Sequence, residues 1–142
     1  MASTTEINNQ IENAESWEEL AESVLPGLEK EKFGDRLFQL CEKYDKKPAE
    51  LQLECSISKS MFYAILNNSR DPSKHSVIKL ALTLKITKEE INELLKLANH
   101  KELYPKKQED AIILFGLKKG KNIYEIDELL RKYDSDLHLT EE

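Results

Sequence analysis

Glycine and proline are scarce in this chain, with four of each in 142 residues. With so few helix breakers and no run of alternating β-formers, the chain reads as all-α. The four glycines stand at 27, 34, 116 and 120, so no glycine-rich phosphate loop is present. Cysteine is limited to Cys41 and Cys55, which supply neither a disulfide framework nor a four-ligand metal site. Both fall at helix positions that face inward, and are expected as small core residues. Histidine occurs only at 75, 100 and 138, without the His-x-x-x-His or Cys-x-x-Cys spacing that holds a metal. The serines at 56, 58 and 60 have no evident base, and the pairs Glu89-Glu90 and Asp127-Glu128 read as solvated surface. Neither an enzyme nor a cofactor is expected. No apolar stretch approaches the roughly 20 residues that span a bilayer. Residues 1–6 lack the basic start and apolar segment of a secretory signal, so the cytoplasm is the expected compartment.

What the chain does have is charge, at 34% of residues, with 39% hydrophobic. That balance suits a soluble protein of short amphipathic helices, built as one small domain with additions. Residues 1–30 hold seven glutamates against one lysine and carry the whole formal charge of −6; the 20 basic and 20 acidic groups that follow cancel. Between Ser56 and Lys79 the balance is locally positive, with Lys59, Arg70, Lys74 and Lys79 against Asp71. The local field at a docking face matters more for nucleic acid than the whole-chain sum.

The informative stretch lies around this positive segment. Pro48 opens a short helical run to Cys55, and proline is tolerated at a first helical position. Ser58 is placed to cap a second helix, because its hydroxyl can accept from an unpaired amide of the first turn. Phe62 and Ile65 of that helix turn inward, while Lys59, Ser60 and Tyr63 point elsewhere. Two helices joined by so short a turn have the geometry of a helix-turn-helix, whose second helix suits a major groove.

Residues 33–90 resemble the phage-repressor-type, or lambda-repressor-like (XRE), helix-turn-helix family. The pattern runs without insertion through Ser58, Phe62, Ile65, Asn68, Arg70 and Pro72-Ser73, with residues 77–84 following as the family's fourth helix. Ser56 stands where the family has glycine in the turn, Pro48 where it has a polar phosphate-contacting residue, Gln52 where it has a small alanine, and Leu66 where it has an acid. The resemblance implies a five-helix domain and a sequence-specific DNA-binding regulator of transcription that reads the major groove of double-stranded DNA as a homodimer. By this reading Lys59, Ser60, Tyr63 and Ala64 face base edges, while Asn67, Arg70, Lys74, Lys46 and Lys47 grip phosphates.

Around this core, residues 1–30 form an acidic amphipathic arm. Ile7, Ile11, Ala14, Trp17, Leu20, Ala21, Val24 and Leu25 recur at helical spacing up to Pro26-Gly27, after a frayed start at 1–6. The arm docks on its own domain, joins a dimer or covers the basic face. Residues 31–100 form the helix-turn-helix domain. Its first helix, 30–44, carries Phe33, Leu37, Leu40, Cys41 and Tyr44; its fourth buries Val77, Ile78, Ala81 and Leu84. Thr87 and Glu90 make a capping box for a fifth, which buries Ile91, Leu94, Leu95 and Ala98. Residues 101–142 form a helical hairpin, packed through Ala111, Ile112, Leu114 and Phe115 on one helix and Ile123, Ile126, Leu129 and Leu130 on the other, and a mobile tail from Asp134. The hairpin docks on the preceding domain or forms an oligomer surface. The alternative function is a protein-interaction module, antitoxin-like or inhibitory, that uses the scaffold without DNA and meets a protein partner through the arm or the hairpin.

Overall fold

The computed structural model describes residues 4–13, 31–133 and 135–139. Eight α-helices and no strand occur among them. The chain divides into two units, residues 1–30 and 31–142. In the first, helix α1 runs Thr4–Asn13, so residues 4–6, expected to fray, are helical. Ile11, expected on an apolar face, is about half exposed. The remainder of the expected arm helix, with Trp17, Leu20, Val24 and the Pro26-Gly27 stop, lies outside the described residues.

The second unit contains α2 (Phe33–Lys43), α3 (Pro48–Glu54), α4 (Lys59–Leu66), α5 (Lys74–Leu84), α6 (Lys88–Leu97), α7 (Gln108–Lys119) and α8 (Ile123–Lys132). Its core takes Phe33, Leu37, Leu40 and Cys41 from α2, Phe62 and Ile65 from α4, and Ile91, Leu94 and Leu95 from α6. Both cysteines are buried and free, and burial pushes each thiol up to about 11. They are packing residues, as their positions suggested.

Helix α5 is the hub, in contact with α3, α6, α7 and α8. Every residue from Val77 to Leu82 is buried, and so is Leu84. One apolar face was expected here; the hairpin packs on this helix as well, with Leu82 close to Gly116, and Leu80 and Leu82 are also buried. The hairpin is therefore continuous with the preceding helices in one unit, with no structural division at residue 100.

Within the hairpin the expected stripe on α7 is rotated. Ile113 and Gly116, with Asp110, are the buried positions; Ala111, Ile112 and Leu114 are only half-buried, and Phe115 is 47% exposed. A β-carbon on Gly116 would overlap the side chain of Ile126, so the missing side chain sets how closely α7 and α8 approach. On α8, Ile123, Ile126 and Leu130 are buried as expected, while Leu129 is half-buried.

Of the tail expected to be mobile from Asp134, residues 135–139 are described and pack against the hairpin, while 134 and 140–142 lie outside the described residues. Leu137 and Leu139 are buried, and the Leu139 amide donates to the buried Asp127 carboxylate at 2.6 Å. Residues 135–139 thus close the bottom of the hairpin.

With so little glycine, turns use other residues in the left-handed region. Asp45, Ser56, Asn68, Lys85 and Asn99 all have φ between 52° and 67°, and Gly120 is the one glycine there among the described residues. Such a conformation costs an L-residue about 1–2 kcal/mol, less for Asn and Asp.

Candidate nucleic-acid interface

Helix α4 begins where its capping serine predicts. The Ser58 hydroxyl accepts from the Met61 amide at 3.3 Å, and the turn from Cys55 to Ser58 brings the chain over from α3. Two contacts hold that turn. Gln52 reaches from α3 and donates through Nε2 to the Ile57 carbonyl at 3.0 Å. The Lys79 ammonium rises from α5 and donates to the Ser56 carbonyl at 3.2 Å. Gln52, where a small residue was expected from the resemblance, is thus a polar brace for the turn. Ser56 takes the left-handed conformation, φ 61°, that a glycine would adopt freely.

The rear of α4 is fixed by Phe62 and Ile65, both fully buried. Its other side carries Lys59, Ser60 and Tyr63, all exposed, with Ala64 half-buried beside them. The steps between 59, 60, 63, 64 and the C-capping Asn67 put the five on one helix face. The Tyr63 ring meets Phe62 edge-on at 5.1 Å, which steadies it while it stays 36% exposed.

Past α4 the chain is a tightly bonded turn. The Asn67 carboxamide accepts from the Ser69 amide at 3.0 Å, and Ser69 and Arg70 both donate backbone amides to the Ala64 carbonyl. That leaves the Asn67 NH₂ group as a donor without a partner among the described residues. Asn68 takes φ 67°, as its tolerance of that region suggested. Its Oδ1 accepts from the Gly34 amide at 2.7 Å and its Nδ2 donates to Asp35 at 3.2 Å. It thereby caps α2, whose own N-cap residue, Lys32, offers no side-chain acceptor. Arg70 is exposed and has no ion pair among the described residues. Pro72 is buried, its carbonyl 2.9 Å from His100 Nε2, and Ser73 caps α5 by accepting from the Ser76 amide.

The cations are less uniformly available than their sequence positions suggested. Lys74 was expected on a phosphate; its ammonium instead sits 2.9 Å from the buried Asp110 and 3.6 Å from Glu109, at the head of α7. Lys79, counted in the local positive excess, is buried against the Ser56 carbonyl. Lys46 pairs with Glu54. Lys47 is exposed at the N-cap of α3, with no hydrogen bond or ion pair joining it to α4. The face therefore unites Lys59, Ser60, Tyr63, Ala64, Asn67 and Arg70. Lys74, Lys46 and Lys47 are not tied to it by any hydrogen bond or ion pair among the described residues, and the first two hold carboxylates. Sequence spacing could not flag the Lys74 pairing, because its acceptor lies 36 residues away on another helix.

No group of histidine, cysteine or carboxylate side chains that could hold a metal ion occurs among the described residues, and none of their helices is long and apolar enough to cross a membrane. No family model matches the chain, and neither the curated proteins nor the solved structures contain a match to it.

Proposed function

We propose that residues 33–90 are a lambda-repressor-like helix-turn-helix domain and that the protein is a sequence-specific DNA-binding regulator of transcription. The observation that carries this reading is the two-sidedness of α4: Phe62 and Ile65 locked into the core, Lys59, Ser60 and Tyr63 left to solvent. A helix anchored along one edge with a polar, lightly cationic edge outward is suited to a major groove. Lys59 would donate to guanine O6 and N7, and the Ser60 hydroxyl would donate to a base acceptor or accept from a base donor. Asn67 and Arg70, held by the bonded turn, would grip phosphates and fix register, with Lys47 as a further backbone contact. Lys74 is left out of the phosphate set, since its charge already meets two carboxylates. As a homodimer the protein would read half-sites roughly 34 Å apart.

Selection from a random duplex pool with the full-length chain tests this. Enrichment of a two-fold symmetric site supports the reading. Failure to retain any duplex at roughly 50 mM salt, where counterion release strongly favours binding, would end it.

A second reading has its own support. Two of the four cations counted near α4 are spent internally, and α7 and α8 leave an apolar groove of about 310 Å³ lined by Ala111, Ile112, Phe115, Leu129 and Tyr133 with Gln108. A thin positive field on α4 together with an apolar groove on the hairpin fits a protein-interaction module that works without DNA. Loss of duplex retention together with formation of a defined complex with a protein partner would favour it.

A further inference from the structure

A cleft of about 630 Å³ opens between the turn entering α6, the connection around Pro105 and the outer side of α7. Its apolar wall is Ile86, Leu114, Leu117 and Pro105. Ile86 is buried and the two leucines are half-buried, so the wall is part of the packed unit and not a loose surface loop. The volume falls within the roughly 300–1,000 Å³ typical of small-molecule sites.

The polar groups around it are unevenly signed. Lys85, Lys88 and Lys118 line the cleft against a single carboxylate, Glu89. Neither Lys88 nor Lys118 has a hydrogen bond or ion pair among the described residues, while Lys85 also acts on Glu125 at the start of α8. The adjacent Glu90 cannot neutralise them, because its carboxylate is committed to Lys43, Tyr44 and the Thr87 amide. Two cations without a carboxylate partner, Lys88 and Lys118, on the lining of a walled apolar cleft favour a ligand with negative charge at one end and hydrocarbon at the other. A neutral apolar ligand would leave the lysines unused, and a hydrophilic anion would leave the wall wet.

We propose that this cleft binds a small amphipathic anion, a carboxylate or phosphate head on a short apolar body, with Lys88 and Lys118 holding the head and Leu114 and Leu117 receiving the tail. No residue of α4 lines the site, and it does not depend on the DNA reading.

Octanoate and octyl phosphate, each below its micelle concentration, are the probes. Titrated into the full chain, followed by amide and methyl NMR, they should give saturable shifts centred on Ile86, Leu114, Leu117, Lys88 and Lys118. Octanol and octyltrimethylammonium should bind at least about tenfold more weakly, the scale of one lost charge-assisted hydrogen bond. The Lys88→Gln, Lys118→Gln double variant should lose about tenfold in affinity for both anions with an unchanged thermal midpoint, since both side chains are exposed. The ratio of the two affinities separates a carboxylate from a phosphate ligand. Equal binding of the neutral and cationic analogues, shifts centred on Phe115 and Tyr133 instead, or an unaltered affinity in the folded double variant would each overturn the proposal. Binding to phosphatidylglycerol vesicles without binding of the monomeric amphiphiles would overturn it too, and make the surface a membrane contact.

Discussion

Asn68, in the turn after α4, caps the start of α2, its Oδ1 receiving the amide of Gly34, 34 residues earlier, at 2.7 Å. The two residues require each other. Asn68 can reach that amide because Gly34 has no side chain: a β-carbon there would collide with the Leu66 carbonyl and crowd Asn68 Oδ1, at 2.7 Å. Asn68→Ala should cost about 2 kcal/mol, combining a lost cap with a left-handed backbone that alanine resists. Asn68→Gly restores the backbone freedom but not the cap, and should cost about half as much. Gly34→Ala should cost about 2–3 kcal/mol, because the neighbour it meets is backbone and cannot swing aside. Urea unfolding measures all three. The double variant should fall short of the sum, since both changes break the same contact.

Glu90 ties α6 to α2 and gives the fold an acid sensitivity. Burial opposes its ionisation, but the Lys43 ammonium, the Thr87 amide and the Tyr44 hydroxyl donate to it and hold its pKa down at about 2, against an ordinary 4.5. A carboxylate with a depressed folded pKa stabilises the fold above its unfolded value and loses that contribution as pH falls toward the folded one. The window is therefore pH 4.5 down to 2, and the contribution is on the order of 3 kcal/mol. Unfolding free energy followed by urea titration should drop across that range in the parent protein. In Glu90→Gln it should start lower and fall less steeply there. Identical slopes would remove Glu90 as the cause.

Lys74 and Asp110 fasten the hairpin to the start of α5. The Asp110 side chain is 4% exposed and accepts from the Lys74 ammonium and the Tyr104 amide. Lys74→Ala strands a buried carboxylate and should cost about 3 kcal/mol, whereas Asp110→Asn with Lys74 intact should cost less, because a partly exposed ammonium can turn to water. Hydrogen exchange should show the loss first in α7, through faster exchange of its first-turn and mid-helix amides.

Much of the fold is legible in the sequence because it is specified locally. Ser58, Thr87 with Glu90, and Pro48 mark helix starts, the first two through bonds made within three residues, and each does so here. The inward residues of α2, α4 and α6 follow from helical spacing alone. Helix α7 resists the same treatment: Ala111 to Phe115 is one unbroken apolar run, which has no phase, so its buried side is decided by where Gly116 lets Ile126 approach. The burial of Leu137 and Leu139 was hidden for the opposite reason: they are two apolar residues in a polar segment, and their ties to the hairpin, through Asp127, Glu109 and the Leu130 carbonyl, lie on other elements. On the candidate face, spacing identified which residues of α4 point outward. It could not tell exposed cations from paired ones, because pairing depends on helices distant in sequence.

That distinction between cations is what a binding series can test. Lys59, on the outer side of α4, should read a base: Lys59→Ala is expected to lose about 1–3 kcal/mol of discrimination at one base pair, with little change for other sequences. Arg70, exposed in the turn, should contact a phosphate, so Arg70→Ala should weaken binding to all duplexes alike and reduce the salt slope by about one. Lys74 provides the control. Its ammonium is occupied by Asp110 and Glu109, so Lys74→Ala, studied at a temperature where it remains folded, should leave the salt slope unchanged. Fluorescence anisotropy across roughly 50–200 mM salt separates the three outcomes. A slope that falls equally for Arg70→Ala and Lys74→Ala would mean that the hairpin releases Lys74 on binding, and the clamp at the head of α5 would then be a moving part of DNA recognition. A slope unmoved by any of the three would place the duplex elsewhere on the protein, or nowhere, and leave α4 an outward face awaiting a different partner.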